Sequence, residues 1–407
     1  MARTLSLIIV FGLSAPAAAT GDPLRGRQWG LVTVGAPAAW KAARGSGVVI
    51  AVVDSGVDLR HEDLRGTLTR GHDFVDGDDR PQDEEGHGTH VAGIAAAAAG
   101  NGRGVAGVAP LARIMPVRVL DESGSGSAAD VAAGIRWATD HGADVINLSL
   151  GDLAQPLFGP AFSKALDEAW SRGVIPVVAA GNEFLLSSGY AKEPALVVSA
   201  TDPHDGKPGY SSGVGSAKWG MAAPGGAGSA AARPQDDVLS TYWRSGSRNG
   251  YAYLAGTSMA APHVAGAAAV LRSLGLTHQE TVDRLLGTAR DLGPNGRDAT
   301  YGHGRLDLAA AVRGLSAASG GAGGGASPED VGSRGRASPP GVGAASPIPS
   351  GSVPLASPPP GVAGVQGRQP SSDDGDLPVA AFATGVVALL IAVLIGWALF
   401  RPNPPDD

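Results

Sequence analysis

Val48-Val49-Ile50-Ala51-Val52-Val53-Asp54-Ser55-Gly56 is the stretch that sets the fold of this chain. Six apolar, mostly β-branched residues in a row suit a strand buried on both faces of a parallel sheet. The run ends on a carboxylate and a Ser-Gly turn, so an acid stands where a buried strand gives way to a loop. In open α/β sheets that edge is where ligand sites form. Outward from it, similar runs recur at residues 114–120, 145–150, 174–179 and 196–199. Helical patterns lie between them. Ser127 and Asp130 make a capping-box-like start that Gly142 stops, and residues 161–172 form a second helix closed by Gly173. This alternation predicts an α/β fold with right-handed crossovers, a doubly wound, mostly parallel sheet flanked by helices, over residues 20–313.

Either side of that domain the texture changes. Arg3, an apolar run at 5–13 and Ala17-Ala18-Ala19 read as a signal peptide over residues 1–19, cleaved after Ala19. Residues 314–378 are rich in Gly, Ser, Pro and Ala with hardly a large apolar side chain, the composition of a disordered tether spanning ~45 Å r.m.s.. Then come 22 uncharged residues, 379–400, opening on Val379 and closing on Phe400, enough to cross a ~30 Å hydrocarbon core as one transmembrane helix. Three aspartates precede this span and Arg401 follows, so residues 401–407 are expected as a short cytoplasmic tail and the large domain outside the membrane.

The chain of 407 residues contains no cysteine, which excludes disulfides, thiolate metal sites and a thiol nucleophile. Its net charge of -7 is mild, and no basic stripe with interleaved aromatics appears, so no nucleic-acid partner is expected.

Three segments carry the chemistry. Asp54 stands at the end of the first strand. His87-Gly88-Thr89-His90-Val91-Ala92-Gly93 places a histidine at the start of an Ala-rich helix. Gly256-Thr257-Ser258-Met259-Ala260-Ala261-Pro262-His263 places a serine where another helix begins, beside oriented backbone N–H groups suited to a developing oxyanion. Singly, Asp54 reads as a turn former and His87 and Ser258 as helix caps. Together, in the order Asp…His…Ser, they form one of the known orders of a catalytic triad. A lipase-type Gly-x-Ser-x-Gly with the order Ser…Asp…His is absent at these motifs.

The three motifs resemble those of the subtilisin (subtilase, peptidase S8) family, over about residues 22–313. The resemblance implies a serine endopeptidase acting on protein or peptide substrates, with Asp54, His87 and Ser258 as triad and His90 as a structural neighbour. It implies an oxyanion donor at Asn182, in a segment that alone would read as a Gly-Asn turn. Ser123, Gly124 and Ser125, with Ser149, Leu150 and Gly151, resemble the two edges that clamp an extended substrate by strand addition. Gly181 and Gly189 would line the first pocket. No cofactor is implied for catalysis. Structural Ca²⁺ is expected at Asp63 and Asn101, with Asp22 as an N-terminal ligand, and in an acidic loop at Asp73, Asp78 and Gln82, since oxygen donors suit this hard cation. Taken alone, that loop reads as a solvated acidic surface.

About thirty residues separate 1–19 from the first strand, too few for the prodomain that many subtilases carry. With a C-terminal anchor, the layout is similar to the mycosins, subtilases linked to type VII secretion, although their N-terminal extension and disulfides are missing. Two functions are compatible with it: a membrane-anchored extracytoplasmic protease, or an inactive or restricted subtilase that acts as a membrane-tethered scaffold with type VII secretion components as partners.

Overall fold

The computed structural model describes residues 21–150, 159–182 and 190–315. The segments expected as signal peptide (1–19), tether (314–378) and transmembrane helix (379–400) lie outside them, apart from residues 314 and 315. Among the described residues no helix is long and apolar enough to cross a membrane.

The opening run becomes strand β1 (Val49–Asp54). The other apolar runs become β3 (Arg113–Arg118), β4 (Val145–Leu148), β5 (Ile175–Ala179) and β6 (Leu196–Thr201). A two-residue β2 (His72–Asp73) and β7 (Trp219–Pro224), neither expected from the sequence, complete the sheet. Its order is β2-β3-β1-β4-β5-β6-β7, and every pairing is parallel. Side chains alternate between two cores, as period-two geometry demands. Ile50 and Val52 join Val177 and Leu196 on one face, while Ala51 and Val53 join Val117 and Ile146 on the other.

Helices cover both faces, as a doubly wound sheet requires. One side takes α3 (His87–Ala96) and α6 (Thr257–Arg272), and the other takes α4 (Ala128–Asp140) and α5 (Pro160–Ser171). Ser127 caps α4 by accepting from Asp130 N at 3.0 Å, and Gly142 follows it at φ +87°. Short helices α1 (Trp29–Thr33) and α2 (Ala36–Ala39) precede the sheet, and α7 (His278–Gly287) and α8 (Leu308–Ala311) end the domain. An antiparallel hairpin, β8 (Val238–Tyr242) and β9 (Gly250–Leu254), packs on α3 outside the main sheet.

The chain runs from β1 to β2 and β3 on one side and to β4 on the other, so the strand order reverses beside the carboxyl end of β1. The first and last segments of the domain also touch: Leu308 N donates to Val34 O at 2.8 Å, and Arg305 Nη1 donates to Thr33 O at 2.8 Å.

Candidate active site

Asp54, the last residue of β1, is wholly buried at that reversal point. Its Oδ1 accepts from Ser55 N at 2.7 Å and from His87 Nδ1 at 2.8 Å. His87 opens α3 with its side chain 25% exposed. Gly88 makes this approach possible, because a Cβ there would lie 2.1 Å from the Gly56 carbonyl oxygen.

An acidic-loop residue next to Gln82 organises the junction. Buried Asp83 accepts from Ser55 Oγ (2.9 Å), Glu85 N (3.0 Å) and Gly86 N (2.8 Å) on one oxygen. Its other oxygen accepts from Thr89 N at 2.9 Å and Thr89 Oγ1 at 2.5 Å. Ser55 Oγ in turn accepts from Gly88 N at 3.0 Å. One carboxylate thus joins the loop after Asp54 to the first turn of the helix that carries His87. An acid four residues ahead of a helix start was the available signal, hidden among its acidic neighbours.

Burial alone would push the His87 imidazole down, but the Asp54 charge and hydrogen bond, with Glu85 and Asp83 behind them, carry it up to about 9. Burial pushes Asp83 up to about 6, against the hydrogen bonds that favour its charged form. His90 is pushed down to about 3 by burial, and its Nε2 lies 3.0 Å from the Ala252 carbonyl. The ring sits inside the fold as a structural residue.

Ser258 lies in the first turn of α6, where free backbone N–H groups point outward. Its hydroxyl donates to the Ser149 carbonyl at 3.2 Å, and among the described residues it makes no hydrogen bond to His87. Ser149 Oγ donates back to the Ser258 carbonyl at 2.9 Å. That carbonyl is available because Pro262, four residues on and inside the helix, has no N–H to offer it. The loop after β4 and the helix bearing Ser258 are therefore joined in both directions, a link the sequence reading did not foresee.

Asn182 follows β5. Its Oδ1 accepts from Thr257 N at 2.9 Å and from Thr257 Oγ1 at 3.1 Å, which fixes the amide and leaves Nδ2 to donate. A Cβ on Gly256 would lie 3.6 Å from both Asn182 Nδ2 and Ser258 N. The missing side chain leaves space in front of two donors.

The substrate segments are only partly described. Ser149 is buried and Leu150 half-buried, whereas Gly151 and Gly189 lie outside the described residues. Ser123, Gly124 and Ser125 form a turn rather than a strand edge: Asp121 Oδ1 accepts from Ser123 N, Ser123 Oγ and Ser125 N, and Asp121 N donates to Ser125 O. Gly181, at φ +101°, donates its N–H to Thr257 Oγ1 at 3.1 Å.

The expected metal ligands fall into two groups. Asp22, Asp63 and Asn101 meet at one loop. The Asp22 carboxylate accepts from Gly100 N and Asn101 N at 2.8 and 3.0 Å. Buried Asp63 accepts from Asn101 Nδ2 (2.8 Å), Val105 N (2.9 Å) and Tyr251 OH (2.9 Å). Two carboxylates and one amide meet there, but Asn101 turns Nδ2 to Asp63 while its Oδ1 accepts from Arg103 N, and the oxygens of Asp22 and Asp63 all accept hydrogen bonds from the protein. The acidic loop differs. Asp73 takes the Arg118 guanidinium at 3.0 Å, Asp78 accepts from Arg80 N at 2.7 Å, and Gln82 spans Leu59 N and the Asp83 carbonyl. Among the described residues no group of three His, Cys, Asp or Glu side chains forms a metal cluster.

A buried Asp–His pair at the carboxyl edge of a parallel sheet, with a serine at the N-terminus of a nearby helix, is the equipment of a serine hydrolase. Comparison with known proteins narrows the class. Residues 45–304 match the Subtilase family. Thermitase of Thermoactinomyces vulgaris is 44% identical over 271 residues, covering 64% of this chain and 90% of its own length. Subtilisin Savinase of Lederbergia lenta is 40% identical over 290 residues, 70% of this chain and 98% of that protein. A solved protease structure from Pseudoalteromonas arctica superposes with a TM-score of 0.63 at 34% identity, over 72% of this chain and 99% of that one. The chain belongs to the subtilase family, and it is a subtilisin-like serine endopeptidase.

Proposed function

We propose that the chain hydrolyses extracytoplasmic proteins through Asp54, His87, Ser258 and Asn182, with its catalytic domain tethered to the membrane by residues 379–400. The observation that carries the residue assignment is the 2.8 Å contact from His87 Nδ1 to a wholly buried carboxylate. With Nδ1 committed, Nε2 is the ring nitrogen left to serve a nucleophile.

The Ser258 hydroxyl turns from the Ser149 carbonyl to His87, gives up its proton there, and its Oγ attacks the peptide carbonyl. Asp54 holds the tautomer and stabilises the imidazolium without taking the proton. Asn182 Nδ2 and Ser258 N receive the oxyanion in the space that Gly256 leaves open. His87 then protonates the leaving amine, and water repeats the sequence on the acyl-enzyme.

Ca²⁺ belongs at Asp22, Asp63 and Asn101 in this reading, where it would stiffen the fold and take no part in the reaction. The support is that two carboxylates and an amide, residue types suited to a hard cation, meet at one loop. Asp73, Asp78 and Gln82 are kept as a second candidate site, with less support because each is engaged separately.

The test uses the full chain beside Ser258→Ala, assayed on casein and with a serine-directed fluorophosphonate. Cleavage and labelling by the wild type alone are expected. Labelling without casein cleavage would favour a restricted substrate and the secretion-linked, mycosin-like role. A folded wild type that does neither sinks the triad assignment and leaves the scaffold. For the anchor, the full chain should sediment with membranes and a chain ending at Arg313 should not. Identical partitioning of the two removes the tether from the proposal.

A further inference from the structure

An open groove of about 730 Å³ lies between the loop after β1 and the tip of the β8–β9 hairpin. Arg60, Arg65, Arg103, Arg244 and Arg248 line it, against two carboxylates, Asp58 and Glu62. All five arginines are exposed. Arg103 approaches Glu62 at 3.7 Å, but the other four guanidinium groups make no ion pair or hydrogen bond among the described residues. In a chain of net charge -7, such a concentration of unpaired cations is a local field and not an average property of the surface.

The groove has a fixed frame. Asn249 Oδ1 accepts from Glu62 N at 2.9 Å, His61 Nε2 lies 2.9 Å from the Gly250 carbonyl, and Tyr251 OH donates to Asp63 at 2.9 Å. These contacts tie the hairpin to the loop and hold the two arginine-bearing walls at a set separation. The groove also adjoins the candidate active site. The Trp243 carbonyl, on its rim, lies 2.7 Å from where a Cβ on Gly86 would stand, one residue before His87. From Asn249 the chain runs through β9 directly to Gly256 and Ser258.

We infer that this groove receives acidic residues of the substrate on the leaving-group side of the cleaved bond. The inference rests on the proposed catalytic reading. In that reading His87 protonates the leaving amine, so the chain beyond the scissile nitrogen passes His87. The arginine groove meets the site on the His87 side, because its rim residue Trp243 packs against Gly86 just ahead of His87. Guanidinium forks match carboxylates in pairs, and a fixed array of them selects for Asp or Glu more by charge complementarity than by shape.

Binding is measured first, on the full-length Ser258→Ala chain, so that the result does not depend on turnover. Fluorescence anisotropy compares a labelled Glu-rich hexapeptide with its Gln-rich counterpart. About 10-fold tighter binding of the acidic peptide is expected at low salt. The difference should vanish at about 1 M salt, where the Debye length is ~3 Å. It should also vanish in a background carrying Arg244→Gln and Arg248→Gln. Equal binding of both peptides at low salt overturns the inference whether or not the wild type is a protease. The second measurement is the ratio of kcat/KM for two quenched substrates that differ only in acidic or amide side chains after the cleaved bond. A ratio of about 10 that collapses in the double arginine variant supports the assignment. A ratio of one, together with tight binding of a sulfated polysaccharide lost in the same variant, overturns it and gives the groove to a polyanion.

Discussion

His87 is held by opposed forces, and its chemistry depends on which one wins. Burial disfavours the imidazolium, but the Asp54 carboxylate at 2.8 Å prevails and brings the group to about 9. If His87 is the general base, as proposed, it must be neutral, so kcat/KM should rise with pH along a limb centred near 9 and fall roughly tenfold per pH unit below it. A profile already flat at pH 7 would contradict this, read on a substrate with no titrating group in the range. Asp83 contributes to the same elevation, and it also anchors the first turn of α3. Asp83→Asn keeps the shape but gives one oxygen where two accept five donors. The limb should move to lower pH, and stability should drop by about 2–3 kcal/mol in denaturant titration. If Asp83 only filled space, stability would fall and the limb would stay where it was. Asp54, His87 and Ser258 were legible as candidates because each stands in its own motif. Asp83 was not, because a lone acid in an acidic loop looks the same whether it faces water or caps a helix.

At the scale of elements, the joint between α6 and the loop after β4 explains the proline in the serine motif. Pro262 withholds the N–H that would occupy the Ser258 carbonyl, and Ser149 supplies the donor instead. Ser149→Ala should leave that buried carbonyl without its partner, lowering stability by about 1–3 kcal/mol. It should also lower kcat more than it raises KM, since the loop and the proposed nucleophile would lose their shared register. Unchanged kinetics in a destabilised variant would reduce Ser149 to a structural role. Strands β1 and β3 to β6 were legible because they are buried on both faces and rich in Val and Ile. Strand β7 was not, because Trp219-Gly220-Met221-Ala222-Ala223-Pro224 has no β-branched residue and is a strand by virtue of its neighbour β6. The hairpin escaped notice for another reason. Strand β8 carries Ser240 and Thr241 where they donate to the His90 and Thr89 carbonyls of α3, and the hairpin loop is longer than the tight turns that advertise a hairpin.

Over the whole molecule, three histidines set where stability peaks. His90 and His263 are held by burial at about 3 and about 4, so below their unfolded value of 6.5 unfolding takes up protons and stability falls as pH drops. Asp83, raised to about 6, acts in the opposite direction between 3.8 and 6, but one carboxylate offsets only one of the two histidines. His87 is raised, so its contribution is complete below 6.5 and is lost as pH climbs through about 9. The melting temperature of the Ser258→Ala chain should therefore be highest near pH 6–7, while activity keeps rising toward 9. Coincident optima would contradict this balance. Chelation should lower the same melting temperature if Asp22, Asp63 and Asn101 hold Ca²⁺, and an unchanged value removes the metal from the proposal. The fold class and family were readable from the sequence alone. The distribution of charge was not, because the arginines of the groove are spread between residues 60 and 248 and only the hairpin gathers them.

The contact between the first and last segments of the domain bears on how a protease survives its own company. Each molecule is a potential meal for the next, and digestion of a folded protein starts where an end frays. Here Thr33 and Val34 are bonded to Arg305 and Leu308, so unravelling the first segment past residue 33 breaks the same hydrogen bonds as unravelling the last segment back past residue 308. Deep fraying of the two segments becomes a shared event, and loosening this seam should expose both to digestion by neighbouring molecules together.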